Sequence, residues 1–263
     1  MAAEVLIGTP TVDGTVYTQY TLSIIALLWS VRGRTDLSIR PPHFVKGSLV
    51  SQARNALAST VLERPSVTHL LFVDSDIGFE PKAVLQMLAY DKPVVACSYP
   101  RREVDRARLQ AAHRAVDDLD LATRIAQNYV CYDDMIRTPH ASGGFALEVK
   151  GGFVRTARVG MGLTLIRRDA LEMMRARFPN LNRPVNDSYR ALGVRNEIFQ
   201  CFESEPDANG IYVGEDIAFC QRWIDGCGGE IWLNVDPVVT HTGPVEFSGR
   251  LIDRLQHTDR KAF

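Results

Sequence analysis

Three short stretches of the chain carry carboxylate or imidazole side chains at spacings that suit metal binding or acid–base catalysis. Asp74 and Asp76 flank a single serine, Glu215 and Asp216 are adjacent, and His241 lies near the carboxyl end. Paired carboxylates suit hard divalent cations such as Mg²⁺, which prefer oxygen ligands and commonly bridge to phosphates. A neutral imidazole can complete a Mn²⁺ site that carboxylates begin, and a carboxylate can serve as a general base.

Each stretch also has a structural alternative. Asp-Ser-Asp with a following Gly is common in turns, and Glu-Asp pairs are common in the first turn of a helix. A histidine at a strand end often only makes a hydrogen bond. If Asp216 does begin a helix, the free N–H groups and the helix dipole should favour its ionised form. The residues alone leave both interpretations open, so the elements that position them must decide.

The first hundred residues predict alternating strands and helices. Apolar runs at 5–7, 37–45, 70–73 and 93–97 indicate strands, separated by helical patterns. This order predicts an α/β fold with a mostly parallel sheet. Ligands of such sheets gather beyond the carboxyl ends of the strands, where Asp74 and Asp76 fall. Alternation along the strand would aim both side chains to one side.

The helix predicted over 18–31 has apolar residues around most of its circumference, so we expect it to be covered on most sides. Further along, 103–128 is helix-prone, 129–152 predicts irregular structure with a hairpin near 150–152, and 154–160 predicts a strand. Gly160 and Gly162 indicate backbone that a neighbour approaches closely. Residues 180–212 predict a long surface loop, the kind that often forms a lid.

Length and composition favour one soluble domain. The 263 residues, with no repeat or clear linker, fit a single domain with a nucleotide-binding half (1–100) and an acceptor-side half (101–263). A net charge of -1 gives no electrostatic reason for nucleic-acid or membrane binding. Five cysteines without a C-x-x-C pair predict reduced, mostly buried thiols rather than a disulfide framework or a zinc site. With no secretion signal or membrane span, we expect a cytoplasmic protein.

The order of these motifs is more specific than any one of them. A buried strand before Asp-x-Asp, a Gly-x-Gly passage, Glu-Asp at a helix start and a strand-end His resemble the GT-A fold glycosyltransferases that use nucleotide-sugars. Residues 214–223, 228–232 and 241–243 look like the carboxy-terminal block of bacterial and phage members similar to family 2, and 53–57 looks like their upstream helix. The resemblance covers nearly the whole chain outside 101–150 and 180–212, where such enzymes differ by acceptor.

The resemblance implies a Rossmann-like α/β/α sandwich with a smaller antiparallel region on the acceptor side. It implies transfer of a sugar, most commonly from a UDP-hexose, to the hydroxyl of a glycan, lipid, protein or modified base. Asp76 and His241 would bind Mn²⁺ or Mg²⁺, and Asp74 would contact the ribose, or the cation through water. Asp216 would be the base of an inverting reaction, with Glu215 supporting acceptor binding.

The same resemblance assigns two further groups of residues. The nucleotide would contact Thr9, Pro10, Thr11, Arg54 and Asn55. The loop that contains Gly160 and Gly162 would flank the sugar.

Departures from the family pattern keep other functions open. Gln221-Arg222-Trp223 lies inside the Glu-Asp helix rather than downstream of it, which disfavours a processive synthase. Retaining enzymes of the fold share Asp-x-Asp and His, so inversion is favoured rather than fixed. One alternative is an inactive GT-A module that binds a carbohydrate or a partner. Another is a haloacid-dehalogenase-like phosphatase, but Gly78 stands where that motif requires Thr or Val.

Overall fold

The computed structural model describes residues 2–139, 143–206, 209–243 and 246–258. Its strands are β1 Ala3–Thr11, β2 Leu37–Lys46, β3 His69–Val73, β4 Ile77–Phe79, β5 Val94–Cys97, β6 Pro100–Val104, β7 Gln127–Tyr129, β8 Arg137–Pro139, β9 Phe145–Leu147, β10 Phe153–Thr156, β11 Leu163–Arg167, β12 Asn182–Pro184, β13 Glu197–Phe199, β14 Ile231–Asn234, β15 Val239–His241 and β16 Phe247–Gly249. Its helices are α1 Thr18–Ser30, α2 Val50–Leu62, α3 Pro81–Tyr90, α4 Arg106–Ala115, α5 Leu119–Ala126, α6 Arg168–Arg177, α7 Asp187–Ala191, α8 Glu215–Gln221 and α9 Leu251–Thr258, with a 3₁₀ turn at Pro179–Leu181 and a π-helical turn at Arg222–Gly226.

A seven-stranded central sheet confirms the predicted α/β class. Its order is β10-β14-β5-β11-β3-β1-β2. The pairs β1–β2, β1–β3 and β5–β14 are parallel, whereas β11 runs antiparallel to both β3 and β5, and β10 to β14. Strands from before and after residue 100 are therefore mixed within one sheet. This arrangement brings the early Asp74 stretch close to the late α8 and β15 stretches.

Alternating side chains of β3 explain why the sheet is covered on both faces. Leu70 and Phe72 pack on one side with α2, α6 and α8, while Leu71 and Val73 pack on the other with α1 and α3. A strand buried on both faces reads as a continuous apolar run, which is how this one appears in the sequence. The result is a three-layer sandwich with β3 near its centre.

The outer face of α1 departs from the prediction that this helix is covered on most sides. Tyr20, Ile24 and Leu27 are buried against the sheet, but Leu22 and Trp29 are 55% and 70% exposed. The sequence pattern was misleading because exposed apolar residues on a helix cannot be told from buried ones when they surround it.

Residues 180–212 form more structure than the surface loop predicted for them. The described part contains β12, α7 and β13, and Phe199, Cys201 and Phe202 are almost completely buried. Phe202 stacks on Phe219 of α8, with ring centroids 4.6 Å apart. The polar composition hid these few apolar anchors. Residues 207–208 of this segment, and 140–142 of the predicted irregular region, lie outside the described residues.

Several smaller expectations have clear outcomes. The hairpin near 150–152 is confirmed, since Lys150 and Phe153 exchange backbone hydrogen bonds across Gly151 and Gly152. The strand predicted over 154–160 ends earlier, at Thr156. All five cysteines are free thiols, and all except Cys227 are buried, as predicted. Within the described ranges, every helix is too short or too polar to cross a bilayer.

A small antiparallel sheet completes the framework of the site. Its order is β16-β15-β4, and it pairs His241 with Ile77, the residue that directly follows Asp76. The backbone N–H of Thr242 donates to the Asp76 carbonyl at 2.8 Å. His241, which is 165 positions further along the chain, is thereby fixed beside Asp76.

Candidate active site

A cleft of about 260 Å³ opens beyond the carboxyl ends of β1 and β3. Its lining includes the three residues of the Asp-Ser-Asp stretch, the start of α2 and the end of β1. Thr9, Pro10 and Thr11, which the resemblance implied as a nucleotide-binding loop, are the last residues of β1, and two of them line the cleft. These residues are Pro10, Thr11, Val12, Gly47, Ser48, Val50, Asp74, Ser75 and Asp76. Ligands of open α/β sheets are expected at this edge, so the acidic stretch lies where the sequence predicted it.

The Asp-Ser-Asp stretch itself is a turn and not the end of a strand. β3 ends at Val73, and the Ile77 N–H donates to the Asp74 carbonyl at 3.0 Å. Ser75 is also held, because its carbonyl accepts the Tyr17 N–H at 2.9 Å. The expectation that strand alternation aims both carboxylates to one side is therefore wrong. Both line the cleft, but each contacts different partners.

Asp74 is held by the guanidinium of Arg54. Two Arg54–Asp74 contacts, Nη1 to Oδ1 and Nη2 to Oδ2, are both 3.1 Å. Arg54 Nε also donates to Glu215 Oε1 at 3.3 Å. The Arg54 side chain is only 5% exposed and lies over the Phe72 ring, 5.3 Å from its centroid. A buried guanidinium thus joins the acidic turn to the first residue of α8.

Asp76 contacts a second, more exposed set of groups. Its Oδ2 lies 3.4 Å from His241 Nε2 and 3.3 Å from Arg102 Nη2. Arg102, on β6, is 43% exposed, whereas the side chains of Asp76 and His241 are 18% and 15% exposed. Asp76 therefore has a neighbour that is fixed in the fold and one that extends into solvent.

The orientation of His241 follows from its other ring nitrogen. Nδ1 is 3.0 Å from the Pro100 carbonyl oxygen, which can only accept a hydrogen bond. A neutral ring must therefore carry its proton on Nδ1, which leaves the lone pair of Nε2 directed at Asp76. Metal-binding histidines are commonly oriented by such a carbonyl contact. A nitrogen and a carboxylate oxygen facing one another suit a cation between them.

Asp76 and His241 can supply part of the ligand set of a divalent cation. Asp76 and His241 supply one oxygen and one nitrogen, a donor set that Mn²⁺ accepts. Across the described ranges, however, no group of three or more His, Cys, Asp or Glu residues is arranged to hold a metal ion. Asp74, which was expected to contact the ribose, or the cation through water, is held by Arg54. The protein would thus provide two ligands and leave the remaining positions to a substrate or water.

Glu215 and Asp216 begin α8, as the sequence predicted. The Asp216 Oδ1 atom accepts its neighbour's backbone N–H, from Ile217, at 2.7 Å. Burial, and then the negative charge of Glu215, raise the pKa of Asp216 above its usual value, against the opposing effects of that N–H and of Arg54. The expectation that the helix start would favour the ionised form is therefore wrong in its net direction. A raised pKa makes Asp216 a stronger base once it is ionised.

Gly160 and Gly162 allow a close approach, as expected, and the neighbour is Tyr99. A Cβ atom on Gly162 would lie 2.7 Å from Tyr99 Cζ, and one on Gly160 would lie 2.5 Å from the hydroxyl oxygen. The Gly162 carbonyl accepts the Asp74 N–H at 2.9 Å. Tyr99 also meets His241 edge to face, with ring centroids 5.3 Å apart. The glycine passage therefore packs beneath the acidic turn.

Two residues predicted to contact the nucleotide point away from the cleft. The hydroxyl of Thr9 is buried and lies 2.7 Å from the Tyr20 hydroxyl. The side chain of Asn55 is buried and accepts the Phe202 N–H at 2.7 Å. Both support the packing around the site. Thr11 does line the cleft, and its buried hydroxyl has no hydrogen-bond partner among the described residues.

The sequence interpretation missed the segment 99–102. Tyr99 packs on the glycines, the Pro100 carbonyl orients His241 and Arg102 contacts Asp76. One signal was available, because the segment directly follows β5 and so lies near the same edge of the sheet. It was overlooked because an arginine close to a predicted cation site does not look like a ligand.

The sequence matches no protein-family model, and no curated protein matches it significantly. Solved structures to which the chain shows some similarity include A197 from STIV, at 14% identity over 92% of this chain and 86% of that one, with a TM-score of 0.43. Another is 2-C-methyl-D-erythritol 4-phosphate cytidylyltransferase from Thermus thermophilus, at 14% identity over 84% of this chain and 99% of that one, with a TM-score of 0.30. Values this low assign neither a family nor an activity.

Proposed function

We propose that this protein is a divalent-cation-dependent glycosyltransferase of the GT-A type, similar to family 2. It would transfer a hexose from a nucleoside diphosphate sugar, with a UDP-hexose as the favoured donor, to an acceptor hydroxyl. The observation that carries the proposal is the arrangement around Asp76. A carboxylate on the cleft and a histidine whose Nε2 faces that carboxylate can together hold a cation beside a bound diphosphate.

The binding step uses the cleft and the acidic turn. The nucleotide would lie along Pro10, Thr11 and Ser48, where the unpartnered Thr11 hydroxyl can bond to it. Asp76 and His241 would hold Mn²⁺ or Mg²⁺. When bound, the cation offsets the negative charge that develops on the leaving nucleoside diphosphate. Asp74, held by Arg54, would act on the nucleotide side and not as a direct ligand.

The chemical step belongs to Asp216. Its carboxylate would accept the proton of the acceptor hydroxyl while the hydroxyl oxygen bonds to the anomeric carbon from the face opposite the diphosphate. The bond from that carbon to the phosphate oxygen breaks, and the nucleoside diphosphate leaves with the electron pair. The result is inversion at the anomeric carbon. Burial raises the pKa of Asp216, the charge of Glu215 adds to that effect, and Glu215 also anchors α8 to Arg54.

The phosphatase alternative requires the first aspartate of the turn to be a nucleophile. Here both oxygens of Asp74 lie 3.1 Å from the Arg54 guanidinium. An anion neutralised in this way is a weak nucleophile, so the contact favours the transferase. The other alternative, an inactive module, would bind a donor without transferring its sugar.

The test is to incubate the protein with a panel of UDP- and GDP-sugars, with Mn²⁺ and candidate acceptors, and to measure the nucleoside diphosphate released. We expect release that stops with EDTA and in Asp76→Asn. Asp91→Asn is the matched control, because Asp91 is exposed and lies at the opposite edge of the sheet, before β5. Donor binding without turnover on any acceptor would indicate an inactive module. Metal-independent phosphate release from phosphoesters would overturn the proposal.

A further inference from the structure

One oxygen of Asp76 has two nitrogen neighbours of different character. Arg102 Nη2 and His241 Nε2 lie 3.3 and 3.4 Å from the same atom, Oδ2. The guanidinium of Arg102 is permanently charged. A cation bound by Asp76 and His241 would therefore have a second positive charge directly beside it. Two positive charges sharing one carboxylate oxygen repel each other.

A single short segment places Arg102 there. The carbonyl of Pro100, two residues earlier on β6, orients His241. Arg102 Nη1 also lies 3.4 Å from the carbonyl oxygen of Thr242, the residue after His241. Arg102 therefore lies against the Asp76 carboxylate and the backbone beside His241, and covers this side of the candidate site.

The ion pair between Arg102 and Asp76 can be replaced by another cation. Arg102 is 43% exposed and approaches Asp76 at 3.3 Å, which is the weak geometry of a surface ion pair. Arg54, the other arginine of the site, is 5% exposed and fixed by two carboxylates. Among the described residues, the protein offers a cation only two ligands, of which Asp76 alone is negatively charged. A guanidinium that pairs with Asp76 therefore competes for the one charged ligand of the cation.

We propose that Arg102 and a divalent cation compete for Asp76. Without a cation, the Arg102 guanidinium neutralises Asp76 and keeps it beside His241. Cation entry displaces Arg102 toward solvent. A substitution that removes the Arg102 charge should therefore leave a site of higher cation affinity. This inference rests on the cation site of the proposed function, but it concerns occupancy of that site and not the transfer reaction.

The test measures Mn²⁺ binding directly, from the electron paramagnetic resonance signal of the free ion, with no donor present. Arg102→Gln should bind Mn²⁺ about threefold to tenfold more tightly than the wild type. Arg102→Lys keeps the charge and should lie between them. Arg101→Gln is the matched control, since Arg101 is exposed, carries the same charge and directly precedes Arg102 in β6, where strand alternation would aim its side chain to the other face. It should match the wild type. Adding Asp76→Asn to Arg102→Gln should abolish the gain.

Equal or weaker Mn²⁺ binding by Arg102→Gln would overturn the competition, as would a gain that survives Asp76→Asn. Absence of Mn²⁺ binding from both proteins would overturn it too. The proposed function fails on a different readout, because a protein that releases no nucleoside diphosphate from any donor can still show the Arg102 effect on Mn²⁺. Loss of product formation with the Arg102 effect intact would leave this inference standing.

Discussion

Asp74 and Asp76 are separated by one residue, yet each is neutralised in a different way. On the Arg54 side of the site (Arg54, Asp74, Glu215 and Asp216), a buried guanidinium is fixed between two carboxylates. On the Arg102 side (Arg102, Asp76 and His241), a half-exposed guanidinium and a histidine share one oxygen. Burial makes the first set permanent, because removing one partner leaves a charge without compensation. Exposure makes the second set replaceable.

The difference suggests a division of work. Fixed charges suit a role that must not change during the reaction, such as holding α8 and its Asp216 against the acidic turn. Exchangeable charges suit a role in which a ligand enters and leaves. The Arg54 side would therefore position the chemistry, and the Arg102 side would bind the cation and the diphosphate.

The largest effect is expected for Asp216→Asn, which removes the proposed base but keeps its size. Turnover should fall about 10²- to 10⁴-fold, because an amide cannot accept the acceptor proton. Donor affinity, measured by calorimetry with Mn²⁺, should stay unchanged. Wild-type turnover in this variant would remove Asp216 from the chemistry, and lost donor affinity would show that the Arg54 side binds the donor too.

Arg54→Met should destabilise the fold by about 3 kcal/mol, since it leaves Asp74 and Glu215 without their shared partner. Methionine retains the packing of the stem over Phe72. Arg102→Met is the control, and it should change the free energy of unfolding by less than about 1 kcal/mol because the pair is exposed. Urea denaturation measures both. Equal losses would erase the proposed contrast between the two arginines.

Asp76→Asn should weaken donor binding in the presence of Mn²⁺ by about 10- to 100-fold, because the cation loses its charged oxygen ligand. Its stability should change little, since the described side-chain contacts of Asp76 are long, at 3.3 Å to the half-exposed Arg102 and 3.4 Å to His241. Calorimetry with and without EDTA separates the cation-dependent part. Unchanged affinity with Mn²⁺ would contradict the cation assignment while leaving the Arg54 side intact.

The smallest effect is a shift in pH dependence for Glu215→Gln. Burial and the charge of Glu215 raise the pKa of Asp216, so the folded protein keeps that proton to a higher pH than the unfolded chain does. Turnover should therefore fall on acidification as Asp216 is protonated, at a pH above the ordinary range for Asp. Removing the Glu215 charge should move this acid limb to lower pH.

The linked effect on stability has a defined sign. Ionised Asp216 opposes folding, so its contribution becomes less favourable as pH rises from its unfolded to its folded pKa. A pH–rate profile of Glu215→Gln with the acid limb unmoved, or moved to higher pH, would contradict this account of the Arg54 side.

The two halves of the chain differed in how far their sequence could be interpreted. In β3 the apolar run predicted a strand buried on both faces, and its continuous pattern was correct because a central strand needs apolar residues on each side. In 180–212 the polar composition predicted a loop. Phe199 and Phe202 nevertheless anchor it in the core, because a few buried residues suffice to fix a segment without producing a periodic pattern.

The amino-acid sequence was enough to predict the α/β class, the position of the acidic stretch at the edge of the sheet, the start of α8 at Glu215 and the histidine at the end of β15. These depend on local patterns of apolar and turn residues, which act over a few positions. Which charged groups contact one another depends on the folded arrangement. The fold pairs Asp74 with Arg54, places His241 and Arg102 beside Asp76, and raises the pKa of Asp216. Burial and Coulomb interactions cause these effects, and both depend on distances that sequence spacing does not encode.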